Sequence, residues 1–380
     1  TDGAPVGARL PVTKEYRSKQ NVLVVGAYPP PMGGAAKNTE IIFRELSERS
    51  VVPVIPVVTS AGGLAHNRSV GYHIRRIAKN IRAALVLLRH TRARSVVYVV
   101  PDGGYGAWYT LAHLCLCRLL LAQVVIHHRT FRYIDSESLP VRLFTKATRK
   151  SAVHVFLSDG MGQRYMDRYG RLEHLVATNA RFVRTSYDSV RHGAPSGVVL
   201  GHLSNLCRDK GFFEVVDTFE ALLAEGFECR LRLGGPILEP EVAARLALIQ
   251  EVYHDRVVYV GPVDGNQKAS FYQGVDIFLF PTQFDLEAQP NVVYEAFSFG
   301  IPVITIDRGC IREMVPEYAG LVVNRTDDFP RAAARYVAEG TWKDSNISRK
   351  IMAFVEEEGA KAREAYKRLY RHILRLQQDA

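Results

Sequence analysis

The run Asn21–Gly26, NVLVVG, is short, continuously apolar and closed by glycine, the pattern of a parallel strand buried on both faces. A Pro- and Gly-rich loop follows, Tyr28 to Gly34, and a helix is predicted from near Ala35 with Ile41, Ile42 and Leu46 inward. Val51–Val58 reads as the next strand. Ser95–Val100 leads into the loop Asp102-Gly103-Gly104, a helix over Tyr109–Leu121 follows, and Gln123–Ile126 makes a strand ending at His127-His128. Ala152–Leu157 and Ala180–Val183 read as later strands of the same sheet. Strands that alternate with helical stretches imply right-handed βαβ units and a parallel sheet.

The pattern then restarts. Strands are expected at Ser196–Leu200, Arg230–Leu233, Arg256–Val260, Ile277–Phe280 and Pro302–Ile306, each followed by a loop carrying Gly or Pro. Open α/β sheets take ligands at that carboxyl edge. From about Ser348 to Gln377 the chain is helical and charged, with Phe354, Ala362, Ala365, Leu369, Ile373 and Leu376 near one face. The predicted organisation is therefore a loose arm over 1–20, a first Rossmann-like domain over 21–195, a second over 196–355, and a terminal helix over 356–380 that closes the second domain or braces the first. Composition agrees: 380 residues call for two domains, and 47% hydrophobic residues exclude general disorder.

The formal charge of +10 points to an anionic partner without choosing among nucleic acid, acidic membrane and phosphorylated ligand. Five scattered cysteines without paired CxxC spacing argue for a reducing compartment and against a structural zinc site. Cys115 and Cys117 read as buried small apolar side chains. The most apolar segment, Leu111–Ile126, is interrupted by His113, Arg118 and Gln123, too polar for a span of about 20 residues. No signal peptide is read at the start. A cytoplasmic protein, soluble or peripheral at the inner face of the membrane, is expected.

The most informative stretch is Pro281–Thr305, PTQFDLEAQPNVVYEAFSFGIPVIT. Glu287 stands in a loop, Pro290 sits near a helix's first turn where its missing donor is harmless, and Glu295 falls inside that helix. Gly300-Ile301-Pro302 stops it. Two carboxylates are thereby offered to an elongated ligand. The amides around Asn291, Val292 and Val293 are suited to phosphate, because a helix start combines unpaired donors with a positive dipole end. Gly33 and Gly34, also before a helix, let backbone amides approach a phosphate or sugar closely.

These residues resemble the retaining glycosyltransferases of family 4, with the GT-B architecture. The signature is a Glu, seven residues and a second Glu, with Pro between and a small residue after, matched here by Glu287, Pro290, Glu295 and Ala296. Gly33-Gly34, His127-His128, Lys210-Gly211 and Gly261-Pro262 extend the resemblance over nearly the whole chain. It implies an α/β fold of two Rossmann-like parallel-sheet domains facing across a cleft, the donor held by the second. By the same resemblance Glu287 accepts from donor-sugar hydroxyls, Glu295 binds ribose hydroxyls, and Lys210 neutralises the departing diphosphate. An Arg usual after the strand is replaced by His202, and whether His202 or Arg208 takes its part stays open. The resemblance also sets Gly33-Gly34 against the diphosphate and His127 or His128, undecided between them, against the transferred sugar.

No Asp-x-Asp pair stands in a comparable loop, so metal-independent transfer without a cofactor is expected, from a UDP- or GDP-sugar. Lys37, Arg129, Arg132 and Tyr133 are candidate acceptor contacts. The acceptor expected is a glycan or lipid-linked saccharide in cell-surface polysaccharide synthesis. Arg68, Arg75, Arg76, Lys79, Arg82, Arg89, Arg92 and Arg94 interleave with Ile77, Ile81, Leu85, Val86 and Leu88. This series fits a helix lying on an anionic bilayer, as well as a plain helix with one core face and one solvated basic face. Arg142, Lys146, Arg149 and Lys150 extend it. Phosphorylase or hydrolase chemistry on the same scaffold, and a non-enzymatic nucleic-acid-binding protein, are the competing readings; the last lacks any recognition motif.

Overall fold

The structure, a computed structural model, describes residues 20–30, 33–62, 70–149, 151–183, 197–263, 265 and 267–378. Residues 1–19 of the expected arm, the expected domain boundary between residues 195 and 196, Arg68 and Lys150 lie outside the described residues.

The first half runs β1 (Val22–Gly26), α1 (Gly34–Arg49), β2 (Val54–Val58), α2 (Val70–His90), β3 (Val96–Val99), α3 (Gly106–Leu119) and β4 (Gln123–His127). It continues through α4 (Arg132–Asp135), α5 (Leu139–Thr148), β5 (Ala152–Phe156), α6 (Asp159–Tyr169) and β6 (His174–Val176). The second half comprises β7 (Val198–Leu203), α7 (Phe212–Ala224), β8 (Cys229–Gly234), α8 (Pro240–Tyr253), β9 (Val257–Tyr259) and α9 (Gln267–Gln273). After these come β10 (Ile277–Phe280), α10 (Asn291–Ser298), β11 (Val303–Ile306), α11 (Ile311–Met314), β12 (Gly320–Val323), α12 (Phe329–Glu339) and α13 (Ser345–Gln378).

Two six-stranded sheets result, ordered β2-β1-β3-β4-β5-β6 and β12-β11-β10-β7-β8-β9, with every pairing parallel. In the second sheet the order reverses between β7 and β10, and a ligand crevice opens at the carboxyl edge of such a switch point. In the first it reverses between β1 and β3. The central strands β1, β3 and β10 are buried at every position, which is why they read as unbroken apolar runs.

The long helix α13 ties the halves together. Ile351 and Val355 join the core that contains Phe297, while Tyr366, Leu369, Tyr370 and Ile373 pack with Val22, Val24 and Tyr98 of the first sheet. The expected strand Ala180–Val183 is instead a short 3₁₀ turn, Asn179–Phe182, and the sixth strand is His174–Val176. Its backbone is claimed elsewhere: the Asn179 N–H donates to Gln289 Oε1, and Phe182 meets Tyr366 edge-on at 5.4 Å. Cys115 is exposed and Cys117 buried, because residues two apart cannot share one face of a helix. Helix α3 starts three residues earlier than its apolar period indicates, and β2 starts after Pro53.

Gly211 shows how backbone shapes the second crevice. Its φ is +82°, and a Cβ there would stand 2.3 Å from the Pro281 carbonyl oxygen. Only glycine lets the turn after β7 lie against the end of β10. Gly211→Ala is expected to destabilise the fold by about 1–3 kcal/mol, seen as a lowered Tm; an unchanged Tm would show that the two loops are not pinned together.

Candidate active site

Lys210 and Glu287 meet at the switch point of the second sheet, and Glu295 lies on the helix that follows the Glu287 loop. Lys210 closes the turn Arg208–Lys210 after β7, and Glu287 lies in the loop after β10. Lys210 Nζ makes a close ion pair with Glu287 Oε2, and the two side chains are 18% and 12% exposed. Thr282 Oγ1 donates to the same carboxylate oxygen at 3.4 Å, and the ammonium lies 4.4 Å from the centre of the Phe284 ring. A charged pair this sheltered is held in a fixed place while its rim stays open to a ligand.

Glu295 lies on the second turn of α10. Its Oε1 is 2.5 Å from Lys268 Nζ, and Tyr272 donates its hydroxyl to Oε2 at 3.1 Å. Burial, then the neighbouring carboxylate, raises the Tyr272 phenol well above its ordinary pKa, so it stays a donor. Lys268 and Tyr272 were not singled out in the sequence. Their four-residue spacing along α9 was the available signal, since it places them on one helical face. The first turn of α10 begins after Pro290 with no side-chain cap.

The first domain meets this edge through α1. Asn291 Nδ2 donates to Asn38 Oδ1 at 3.2 Å, Asn38 Nδ2 to Asn179 Oδ1 at 3.3 Å, and Asn179 Nδ2 to the Gln289 carbonyl at 2.7 Å. These amides bring the helix starts of α1 and α10 face to face. Gly33 and Gly34 are exposed there; a Cβ on Gly33 would meet nothing within 4 Å, and one on Gly34 only Asn291 Nδ2 at 3.8 Å. Packing therefore does not demand these glycines, and the open space beside them is room for a ligand. Lys37 is half-buried in the same first turn. At the far rim, Gly103 faces Leu286, and Arg132 lies along the Gly103-Gly104 loop.

Several expected contacts are corrected. His202 is fully buried: Nδ1 donates to the Leu279 carbonyl at 2.9 Å and Nε2 accepts from Ser204 Oγ at 2.8 Å. Burial, aided by the charge of Lys210, pulls its pKa down to about 4, so it supplies no cation for a phosphate. Arg208 pairs with Glu241 at 3.1 Å and stacks over Phe213, turned to that exposed rim instead of to Lys210. His127 and His128 are both fully buried on opposite faces of the sheet. His127 Nδ1 meets the Tyr98 hydroxyl at 2.5 Å; His128 meets Tyr133 and His154, each at 2.9 Å. Burial holds both imidazoles well below their ordinary pKa, hence neutral. Tyr133 is thus an internal partner of His128 and no surface acceptor contact. Arg129 is also internal, bonded to the Tyr366 hydroxyl at 3.0 Å. Of the expected acceptor residues, Lys37 and Arg132 keep partial exposure.

Residues 197–339 match the family model of the group 1 glycosyl transferases. This glycosyl transferase match spans all six strands of the second sheet and includes Lys210, Lys268, Glu287 and Glu295, yet covers less than half of the chain. The capsular polysaccharide biosynthesis glycosyltransferase CapM of Staphylococcus aureus is 27% identical over 130 residues, which is 34% of this chain and 33% of that protein. The chain thus spans about a third of that curated relative's length. Among solved structures, HepE of Anabaena, determined with UDP and glucose, superposes with a TM-score of 0.62 at 16% identity, over 92% of this chain and 98% of that one. Sucrose-phosphate synthase of Thermosynechococcus elongatus gives 0.64 at 16% identity, over 93% and 100%. The fold is GT-B: two parallel α/β domains, as in these two structures. Among the described residues no helix is long and apolar enough to cross a membrane.

Proposed function

We propose that the protein is a retaining glycosyltransferase of the family 4 type. It moves a hexose-like sugar from a UDP- or GDP-sugar to a glycan or lipid-linked saccharide in cell-surface polysaccharide synthesis. The observation that carries this reading is the Lys210–Glu287 pair between the loops after β7 and β10, followed at once by the uncapped start of α10 with Glu295 on its second turn. The UDP bound by HepE and the capsular role named for CapM support the donor and the pathway class.

In this reading the diphosphate lies between Lys210, the first amides of α10 and the Gly33-Gly34 backbone. Glu295 accepts from the ribose hydroxyls, with Lys268 and Tyr272 fixing its carboxylate. When phosphate oxygens engage Lys210, Glu287 exchanges its lysine partner for hydroxyls of the sugar, which are donors matched to a carboxylate. The bond from the anomeric carbon to the diphosphate oxygen breaks as the acceptor oxygen bonds to the same face of that carbon. The acceptor proton passes to the departing phosphate oxygen. Preorganised cations and amides stabilise the negative charge that grows there, the part a divalent metal plays in other enzymes. The neutral, buried His127 sits at the end of β4 as a positioning group for the cleft wall.

A donor panel of UDP-glucose, UDP-N-acetylglucosamine and GDP-mannose, assayed with and without chelator, tests this. Release of nucleoside diphosphate that requires a saccharide acceptor and survives chelation is expected. Glucose 1-phosphate formed only with inorganic phosphate would replace the proposal with a phosphorylase. Sugar released to water alone would make the protein a hydrolase.

A further inference from the structure

The helix α2 has two apolar faces, and among the described residues only one of them is packed inside the protein. Its buried positions are Asn80, Ala83 and Leu87. A second line, Val70, Ile74, Ile77, Ile81, Leu85 and Leu88, is between 47% and 77% exposed. At about 100° per residue these six side chains fall within an arc of about 80°, on a face turned well away from the buried one. Sequence periodicity alone leaves open whether they face the core or an outside partner. They form a continuous apolar stripe along nearly the whole helix, whereas scattered single residues are what an ordinary surface carries.

The charge beside the stripe says what covers it. Arg75, Arg82 and Arg89 are exposed and recur every seven residues, so they line one flank of it. Helix α2 contains no acidic residue. Between Glu48 and Asp135 the chain holds twelve Lys or Arg and one acid, Asp102, so this stretch accounts for the whole surplus of +10. Arg76 takes that acid at 3.2 Å. A second protein surface offers an apolar stripe or a mirrored set of acids; an anionic bilayer offers acyl chains and headgroup phosphates along one plane. Long arginine side chains can reach from a helix flank to headgroups while apolar residues sink into the acyl boundary. Helix α3 packs beside α2 and carries exposed Tyr105 and Trp108 at its start, residue types that favour the interfacial layer.

The placement matters for the cleft. Arg76, on the second turn of α2, reaches Asp102 and lies over Tyr109, and the next residue after Asp102 is Gly103, which faces Leu286 across the cleft mouth. We infer that the outer face of α2 docks the first domain on an anionic bilayer surface and so sets the cleft mouth beside membrane-embedded acceptors. The second half of that statement rests on the proposed transferase reading; the docking itself does not.

Co-sedimentation of the full chain with vesicles separates the two. Phosphatidylcholine vesicles containing phosphatidylglycerol are expected to pellet the protein, vesicles of phosphatidylcholine alone to leave it in solution, and high salt to release it. Arg75→Gln/Arg82→Gln/Arg89→Gln should weaken partition by about a hundred-fold. Ile77→Ser/Ile81→Ser/Leu85→Ser should reduce it to background. Both variants should keep the shift in melting temperature produced by UDP and the turnover on a soluble saccharide acceptor, which shows that they are folded. Equal binding to neutral and anionic vesicles, or binding that neither variant changes, overturns the inference. So does a wild-type dimer that ignores vesicles and becomes monomeric on the Ile77, Ile81 and Leu85 changes, which would make the stripe a subunit interface. Vesicle binding without any donor turnover would leave docking standing and defeat the transferase proposal instead.

Discussion

Lys210→Met is expected to lower kcat by about 10²–10³-fold, the range seen when a preorganised charge stabiliser is removed from a transition state. The reason is geometric. Lys210 is the one cation that the turn after β7 delivers to the carboxyl end of β10, where it pairs with Glu287. Arg208 looks toward Glu241 and His202 is buried and neutral, so neither stands ready to take over. A bland explanation exists: Lys210 could serve only to neutralise Glu287. The two roles separate in the double variant Lys210→Met/Glu287→Gln. If the lysine merely balances a carboxylate, the double variant is no slower than Glu287→Gln alone. If it stabilises the departing diphosphate, the double variant is slower than Glu287→Gln alone by about the factor that Lys210→Met costs the wild-type protein, because the interaction lost is with the substrate. Stability is a separate readout. Losing the lysine leaves a sheltered carboxylate with Thr282 as its remaining partner, a cost of about 1–2 kcal/mol that a shift in Tm reports.

Much of this site was legible in the sequence because its parts sit at strand ends. The strands that flank the switch point are buried on both faces and announce themselves as apolar runs, and the loops after them contain Lys210, Glu287 and Pro290. What was not legible depended on burial. His127, His128 and His202 look like ligand-edge histidines from their position, yet each ring is enclosed by aromatic or backbone partners contributed by distant strands. Arg129 and Tyr133 follow the same logic: α13, remote in sequence, covers Arg129 with Tyr366. No local pattern reveals a partner 237 residues away. The segment Ala180–Val183 failed as a strand for a related reason. It has strand-like composition, but the Val183 N–H closes a tight turn on the Ala180 carbonyl at 3.3 Å, Asn179 before it is held by Gln289, and Phe182 packs on Tyr366 of α13. For α2, periodicity could not choose between a core face and an outward one, and its most regular apolar line faces outward.

Glu295→Ala should act on affinity where Lys210→Met acts on rate. An ionised carboxylate that accepts from two hydroxyls contributes about 1.5–3 kcal/mol for each such bond, so nucleoside diphosphate affinity should fall by at least about ten-fold. The rise belongs in KM for the donor, with kcat changed far less, because the ribose is bound equally in the ground and transition states. Lys268 and Tyr272 hold this carboxylate at 2.5 and 3.1 Å, and removing it deprives them of their acceptor. A general loosening of α9 could therefore mimic a lost contact. Comparing UDP with its 2′-deoxy analogue by calorimetry resolves the two. If Glu295 grips the ribose, the wild-type protein prefers UDP and the Ala variant loses that preference while still binding both weakly. A preference retained in full by the variant would mean that the carboxylate only braces α9 against α10, and that the ribose is read elsewhere in the cleft.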